Sequence, residues 1–222
     1  MCIRDSGYTS VPIILAAKIL NIPSIIHEQN KILGRANKFC SLFCNKVALS
    51  FNLKENLKNP KFVLTGNPIS RDFENIQYSY SNIEKSKFVL LIIGGSQGAK
   101  IFDELLNKSF ASIAKQVSIK IIHQTSEKNI NFLKNFYSQN NIESRVFSFD
   151  HNLNEVLKQG DLCVTRAGAS SLAELSFLNI PFIAIPLPSS KDNHQYENAK
   201  YYEEQDCCCL LYTSDAADEF SC

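Results

Sequence analysis

Short apolar runs of strand length recur along this chain, each followed by a small or polar turn and then by a helix-length segment. This alternation constrains the fold most, because parallel strands need long crossover connections and a helix is the usual crossover. Strand-like runs fall at residues 24–26, 47–50, 62–64, 88–93, 119–123, 146–147, 162–165 and 182–185. Helix-like segments fall at 11–20, 32–44, 99 to about 115, 129–137, 171–178 and 195–204. Within 32–44, Ile32, Ala36, Phe39, Cys40 and Phe43 form an apolar helical stripe. The expected class is α/β, with parallel sheets covered by helices on both faces.

Residues 74–87 are polar and lack a clear period, which places a linker at 79–87 between two α/β units. The units expected are residues 7–78 and 88–211. Residues 1–6 and 212–222 resemble translated adaptor sequence and are read as non-native ends of an internal fragment.

Composition excludes several classes. At 45% hydrophobic and 20% charged the 222 residues are those of an ordinary globular protein. A net charge of +1 gives no general field for nucleic acid. The charge is uneven, however: residues 1–78 hold ten Lys and Arg against five Asp and Glu. No apolar run approaches the about 20 residues that span a bilayer. Cys40, Cys44, Cys163 and the consecutive Cys207, Cys208 and Cys209 form no paired metal-ligand spacing, so free thiols and no metal are expected.

In parallel sheets, ligands bind beyond the carboxyl ends of the strands, so the residues just after each run are the site candidates. Gly94 to Ala99 follow a buried-type strand, and glycines there let main-chain N–H groups approach a phosphate, with Ser96 adding a hydroxyl donor. A plain tight turn is the simpler alternative. Residues 166–174 form a second such turn, with Ser170 or Ser171 as helix cap and Glu174 one turn in, placed to accept from ribose hydroxyls. An ordinary capped helix would also explain them. Asp192 to Ala199 carry amide and imidazole groups suited to sugar hydroxyls, or to a solvated loop. His27-Glu28-Gln29-Asn30 follows another strand and lacks the second His of a zinc motif.

Taken together, Gly7 to Pro12, His27 to Asn30, Gly66-Asn67-Pro68, Gly94 to Ala99, Arg166 to Glu174 and Asp192 to Ala199 resemble the MurG family. These are the bacterial N-acetylglucosaminyltransferases of glycosyltransferase family 28. The resemblance implies a GT-B fold of two Rossmann-like, doubly wound domains facing a cleft, the N-terminal one truncated here. It implies an acceptor and membrane-side domain over 7–78 and a UDP-N-acetylglucosamine domain, also truncated, over 88–211. Ser96 would hold the diphosphate. Ala169, Ser170, Ser171, Leu172, Ala173 and Glu174 would contact the donor, with Glu174 on the ribose. Gln195 and Asn30 would bind the sugar, and the main chain at Asp150, usually apolar in the family, would recognise uracil. Arg71 stands one residue beyond the family's arginine position, which Ser70 occupies. The family's probable base histidine would lie upstream of residue 7, so no catalytic residue is assigned and the fragment itself is expected to be inactive.

The implied reaction is inverting transfer of N-acetylglucosamine to the C4 hydroxyl of undecaprenyl-diphospho-N-acetylmuramoyl-pentapeptide in peptidoglycan synthesis, without cofactor. The implied location is peripheral, on the cytoplasmic face of the bacterial plasma membrane, where the basic N-terminal part suits anionic headgroups. Another GT-B enzyme such as a UDP-N-acetylglucosamine epimerase, or a non-catalytic UDP-sugar-binding fragment, would share the phosphate turns. A dinucleotide oxidoreductase is disfavoured because Gln124 stands where a ribose-binding acid is expected.

Overall fold

The structure is a computed structural model that describes residues 9–53, 58–69, 87–94, 100–104 and 106–211. Two parallel sheets organise them. The smaller has the order β1-β2-β3, formed by β1 (Ile25–Glu28), β2 (Lys46–Leu49) and β3 (Phe62–Leu64). Helices α1 (Ser10–Ile19) and α2 (Arg35–Cys40) accompany it. The larger sheet has six strands: β4 (Phe88–Ile93), β5 (Ile119–Gln124), β6 (Glu143–Phe147), β7 (Leu162–Thr165), β8 (Phe182–Ala184) and β9 (Cys208–Leu210). Their order, β6-β5-β4-β7-β8-β9, reverses direction of travel at β4, the doubly wound pattern. Its helices are α3 (Lys100–Glu104), α4 (Leu106–Ala114), α5 (Ile130–Gln139), α6 (Leu153–Leu157), α7 (Ala169–Phe177) and α8 (His194–Glu203). Of the linker placed at 79–87, only Lys87 is described, and it pairs with Glu143 at 2.8 Å.

Strand β4 shows why this sheet is covered on both faces. Leu91 and Ile93 pack with Val156, Leu157, Leu172 and Leu175, under α6 and α7. The alternate residues Leu90 and Ile92 pack with Phe102, Phe110, Leu133 and Tyr137, under α3, α4 and α5. A strand buried on both sides must be apolar throughout, which accounts for the unbroken run of residues 88–93. Gly160 lies so close to Leu91 that a Cβ would overlap that side chain.

Three helices stop in one way. Asn21, Asn141 and Asn179 follow the caps of α1, α5 and α7 with φ of 53°, 55° and 50°. The next residue is isoleucine each time, and its N–H returns to the last turn: Ile22 to Ala17, Ile142 to Tyr137 and Ile180 to Leu175. Asparagine tolerates the left-handed conformation, and the isoleucine turns back toward the helix before the next strand.

Sequence expectation and structure differ in several places: the strand expected at 146–147 is Glu143–Phe147, and the helix expected from 99 to about 115 is α3 and α4. The helix expected over 32–44 is only α2, Arg35–Cys40. The short helix α6 was not expected, nor was β9, whose Cys208 and Leu210 pack against the core. The helix expected from residue 171 starts two residues earlier, at Ala169.

Candidate functional site

All strands within each sheet run parallel, so the loops that follow them leave from one edge of each sheet. In the smaller sheet, His27 Nε2 lies 3.1 Å from Ser50 Oγ, beyond β2, and 3.3 Å from the Gly66 carbonyl oxygen, beyond β3. His27 is thus a tie across the three strand ends. Gly66 itself sits at φ 76°, where glycine is favoured.

Glu28 is buried at 3% exposure and its carboxylate is fully used. Oε1 accepts the main-chain N–H of Asn30 at 3.0 Å and its side-chain amide at 3.3 Å. Oε2 accepts from Gly34 N–H at 2.9 Å and from the Asn37 amide at 2.8 Å. These bonds to a charged acceptor hold residues 29–34 as a turn, which is why the apolar stripe that begins at Ile32 becomes helical only at Arg35. They also fix where Asn30 points.

On the larger sheet, α7 opens after β7 with Gly168 as its cap, in extended conformation, and no side chain closes the cap. The expected serine cap is therefore corrected: glycine ends the loop, and Ser170 and Ser171 fall inside the first turn. Among the described residues no side chain caps the first-turn N–H groups of α7, the kind of helix start at which anions bind. Ala169 and Leu172 have buried side chains, so a ligand can meet them only through the main chain, whereas Ser170, Ser171 and Ala173 are at least partly exposed. Glu174 shares a narrow crevice with Ser171, Leu153 and Ile93, at the end of β4. Burial raises its carboxyl pKa above the usual value, and no hydrogen bond holds it among the described residues.

Asp150 follows β6. Its carboxylate is taken by Arg145 and, at 2.8 Å, by the N–H of Asn152. The charge of Asp150 is thus folded back onto its own loop. Gln195, in the first turn of α8, accepts the Leu187 N–H through Oε1 at 2.9 Å, and among the described residues its amide hydrogens have no partner. Ser96 and Arg71 lie outside the described residues.

The residue that joins these segments is Asn198, fully buried on α8. Its Nδ2 donates to Asn30 Oδ1 at 3.0 Å and to the Ala167 carbonyl at 3.3 Å. Its Oδ1 accepts the Lys31 N–H at 2.8 Å. The loop after β1, the loop after β7 and the helix bearing Gln195 therefore meet at one side chain. Around it, Arg35 pairs with Asp192 at 2.9 Å, the Lys31 ammonium stands 4.8 Å over the Tyr201 ring, and Phe51 meets Tyr201 edge-on. The sequence reading had included Asn198 in its motif without choosing it, because the partners that make it matter lie far away in sequence.

A second buried polar group was also missed. Asp103 of α3 accepts from Thr125 Oγ1 and Asn129 Nδ2, both at 2.7 Å, and lies 3.1 Å from His123 Nε2. His123 Nδ1 in turn meets the Tyr137 hydroxyl at 2.7 Å. Burial alone would raise the Asp103 pKa, but the hydrogen bonds from His123, Asn129 and Thr125 outweigh it and hold the carboxyl below the usual value. Among the described residues no group of His, Cys, Asp or Glu is arranged to hold a metal.

Residues 89–219 match the glycosyltransferase family 28 C-terminal domain, and residues 1–49 match its N-terminal domain. A curated relative from Pelagibacter ubique (strain HTCC1062) is 42% identical over 206 residues, covering 91% of this chain and 57% of the relative. One from Rickettsia bellii (strain RML369-C) is 38% identical, covering 96% of this chain and 62% of the relative. Both are named UDP-N-acetylglucosamine--N-acetylmuramyl-(pentapeptide) pyrophosphoryl-undecaprenol N-acetylglucosamine transferase. The chain thus spans about three fifths of the length of the relatives it matches. The crystal structure of Acinetobacter baumannii MurG superposes with a TM-score of 0.77 at 28% identity, covering 95% of this chain and 59% of that one. The two parallel sheets are those of a GT-B fold.

Proposed function

This chain belongs to glycosyltransferase family 28, and on that premise we propose that it serves the transfer of N-acetylglucosamine from UDP-N-acetylglucosamine to a lipid-linked acceptor. The acceptor is the C4 hydroxyl of undecaprenyl-diphospho-N-acetylmuramoyl-pentapeptide, and the sugar is transferred with inversion. The observation that carries the reading is the convergence at Asn198 of Asn30, the start of α7 and the α8 turn bearing Gln195. A nucleotide sugar needs a base end, a ribose, a diphosphate and a sugar reader in one line, and these segments offer each of them.

The uracil end falls to the main chain at Asp150, since Arg145 and Asn152 have turned its carboxylate away. Glu174 takes the ribose hydroxyls: a carboxylate in a crevice with no hydrogen-bond partner among the described residues gains charge-assisted hydrogen bonds when the ligand arrives. The start of α7, with Ser96, receives the diphosphate, and each helix end contributes about 0.3–1 kcal/mol when exposed and up to ~2 when partly buried. That stabilises the departing UDP only in part, so positioning of the acceptor hydroxyl must contribute much of the rate. The amide hydrogens of Gln195, together with Asn30, read the sugar hydroxyls.

Contact with the acceptor lipid falls to the N-terminal unit. Ile19, Leu20, Ile22, Ile25 and Leu42 are large apolar residues that stand exposed, Ile19 at 80%. Lys18 lies on the same helix as Ile19, and Lys46 opens the strand that pairs with β1. Apolar side chains among lysines suit a peripheral position on an anionic bilayer surface, at the cytoplasmic face. No described helix is long and apolar enough to cross a membrane.

The test is calorimetry with UDP-N-acetylglucosamine, UDP and NADH, followed by a UDP-release assay with a soluble acceptor analogue. The expected result is weak binding of the UDP-sugar and none of NADH by this chain, which should transfer nothing, and acceptor-dependent release of UDP by a full-length version. Turnover of the UDP-sugar without acceptor would instead indicate an epimerase.

A further inference from the structure

We infer that Asn198 is a positioning residue, the side chain that registers the acceptor-side Asn30 against the donor-side Gln195. The inference deepens the proposed transfer reaction by naming what aligns its two halves. It starts from hydrogen-bond bookkeeping at a site with no water access. Asn198 has no exposed surface, and both amide hydrogens and the oxygen are used.

The orientation of the amide follows from its neighbours. The Lys31 main chain offers only an N–H and the Ala167 main chain only a carbonyl, so Oδ1 must face the first and Nδ2 the second. The remaining Nδ2 hydrogen then requires an acceptor at Asn30, which turns Asn30 Oδ1 toward α8. Asn30 Nδ2 consequently faces Glu28 Oε1, which as a carboxylate can only accept. The series Glu28, Asn30, Asn198, Ala167 has one allowed polarity from end to end. Among the described residues it leaves Asn30 with one amide hydrogen uncommitted.

Gln195 sits three residues before Asn198 on α8, so the two share a helix face. A shift of α8 against the smaller sheet would move Gln195 relative to Asn30 and break this series. The surrounding ties are weaker substitutes: the Arg35–Asp192 pair is exposed, with Arg35 at 77%, and exposed pairs contribute little. Asn198 is the buried, directional tie.

The test uses Asn198→Ala and the near-isosteric Asn198→Asp, which keeps the acceptor for Lys31 but removes both donor hydrogens. In the ligand-free chain, hydrogen exchange at the Lys31 amide should speed up about tenfold in Asn198→Ala, a factor that corresponds to about 1.4 kcal/mol. Exchange at Ile92 and Ile121 should stay as in the parent, which shows that the larger sheet is intact. In the UDP-release assay on a full-length version carrying the same substitutions, kcat should fall about 10–100-fold in both variants, as misplacement of reacting groups does, with the donor KM within about threefold. If Asn198→Ala does not fold, Asn198→Asp carries the test: parental kcat overturns the inference. Unchanged Lys31 exchange overturns it too, as does a raised donor KM with unchanged kcat, which would make Asn198 a direct donor contact. If the parent chain binds no UDP-sugar, the transfer reading fails, while the exchange experiment still decides whether Asn198 ties the two halves.

Discussion

Glu28 and Asn37 are joined across the turn after β1 by a 2.8 Å hydrogen bond from the asparagine amide to Oε2. The same oxygen accepts from Gly34, and the other serves Asn30. One buried carboxylate thus shapes the loop that carries Asn30.

Glu28→Gln is expected to destabilise the N-terminal unit by about 1.5–3 kcal/mol, because an amide NH2 would face two donors wherever it points. Urea denaturation followed by circular dichroism measures this. A change below about 0.5 kcal/mol would mean that the loop is held by other contacts.

For Glu174 the expected effects on ligand and on fold have opposite signs. Its pKa is raised by burial, so the folded state binds a proton more readily than the unfolded chain does. Stability contributed by the protonated form is present at low pH and is lost as pH rises through the folded value. Glu174→Gln should therefore raise the melting temperature of the ligand-free protein near pH 7. Glu174→Ala should weaken UDP-N-acetylglucosamine binding by about 1.5–3 kcal/mol, the worth of hydrogen bonds to a charged group. Calorimetry with unchanged affinity would remove Glu174 from the donor site.

Asp103 shows the reverse pH dependence. Its pKa is held down by donors from His123, Asn129 and Thr125, so its stabilisation is present above the unfolded value, about 3.9. It is lost as pH falls through the lower folded value. Asp103→Ala should cost about 3–5 kcal/mol at pH 7 by leaving buried donors without their acceptor. Urea melts between pH 2 and 7 should show a steeper acid loss in the parent than in the variant. Parallel curves would show that Asp103 does not titrate with unfolding.

Leu20→Asp combined with Ile25→Asp should lower binding to anionic phosphatidylglycerol vesicles about tenfold or more, since each buried methylene adds ~0.8 kcal/mol to insertion. Both side chains are already exposed, so the melting temperature should change little. Equal co-sedimentation of parent and variant would place the membrane face elsewhere.

Much of the fold was legible because buried parallel strands must be apolar throughout. Residues 88–93 and 162–165 were read as they stand in the structure, since a run such as Phe88–Ile93 has few other uses, and so were 62–64, although Val63 and Leu64 are exposed. The start of α2 was not legible, because the apolar period at Ile32 and Leu33 continues while a side chain four residues earlier, Glu28, captures the backbone. Strand β9 was hidden by its composition: Cys208-Cys209-Leu210 read as a run of thiols, and only pairing with Phe182 to Ala184 makes it a strand. At the candidate site, Glu174 could be chosen because it follows a strand-end turn, and Gln195 because its segment resembles a family motif. Asn198 and Asp103 could not, since their importance lies in partners 168 and 22 residues away.

The strand order carries a consequence for how the chain reaches this structure. β4 and β5 are joined through helices, as are β5 and β6, and can pair as they emerge. The other side of β4 waits for β7: Thr165 Oγ1 closes onto the Ile93 carbonyl across 72 residues. Contacts of such separation form late, because the entropy of loop closure precedes any gain from them. The half of the larger sheet that supplies Ala167, Glu174, Gln195 and Asn198 is thus the last to assemble, and the seam with the smaller sheet closes after it. A pulse of protease early in refolding should cut within residues 166–205 while β4 to β6 are already protected.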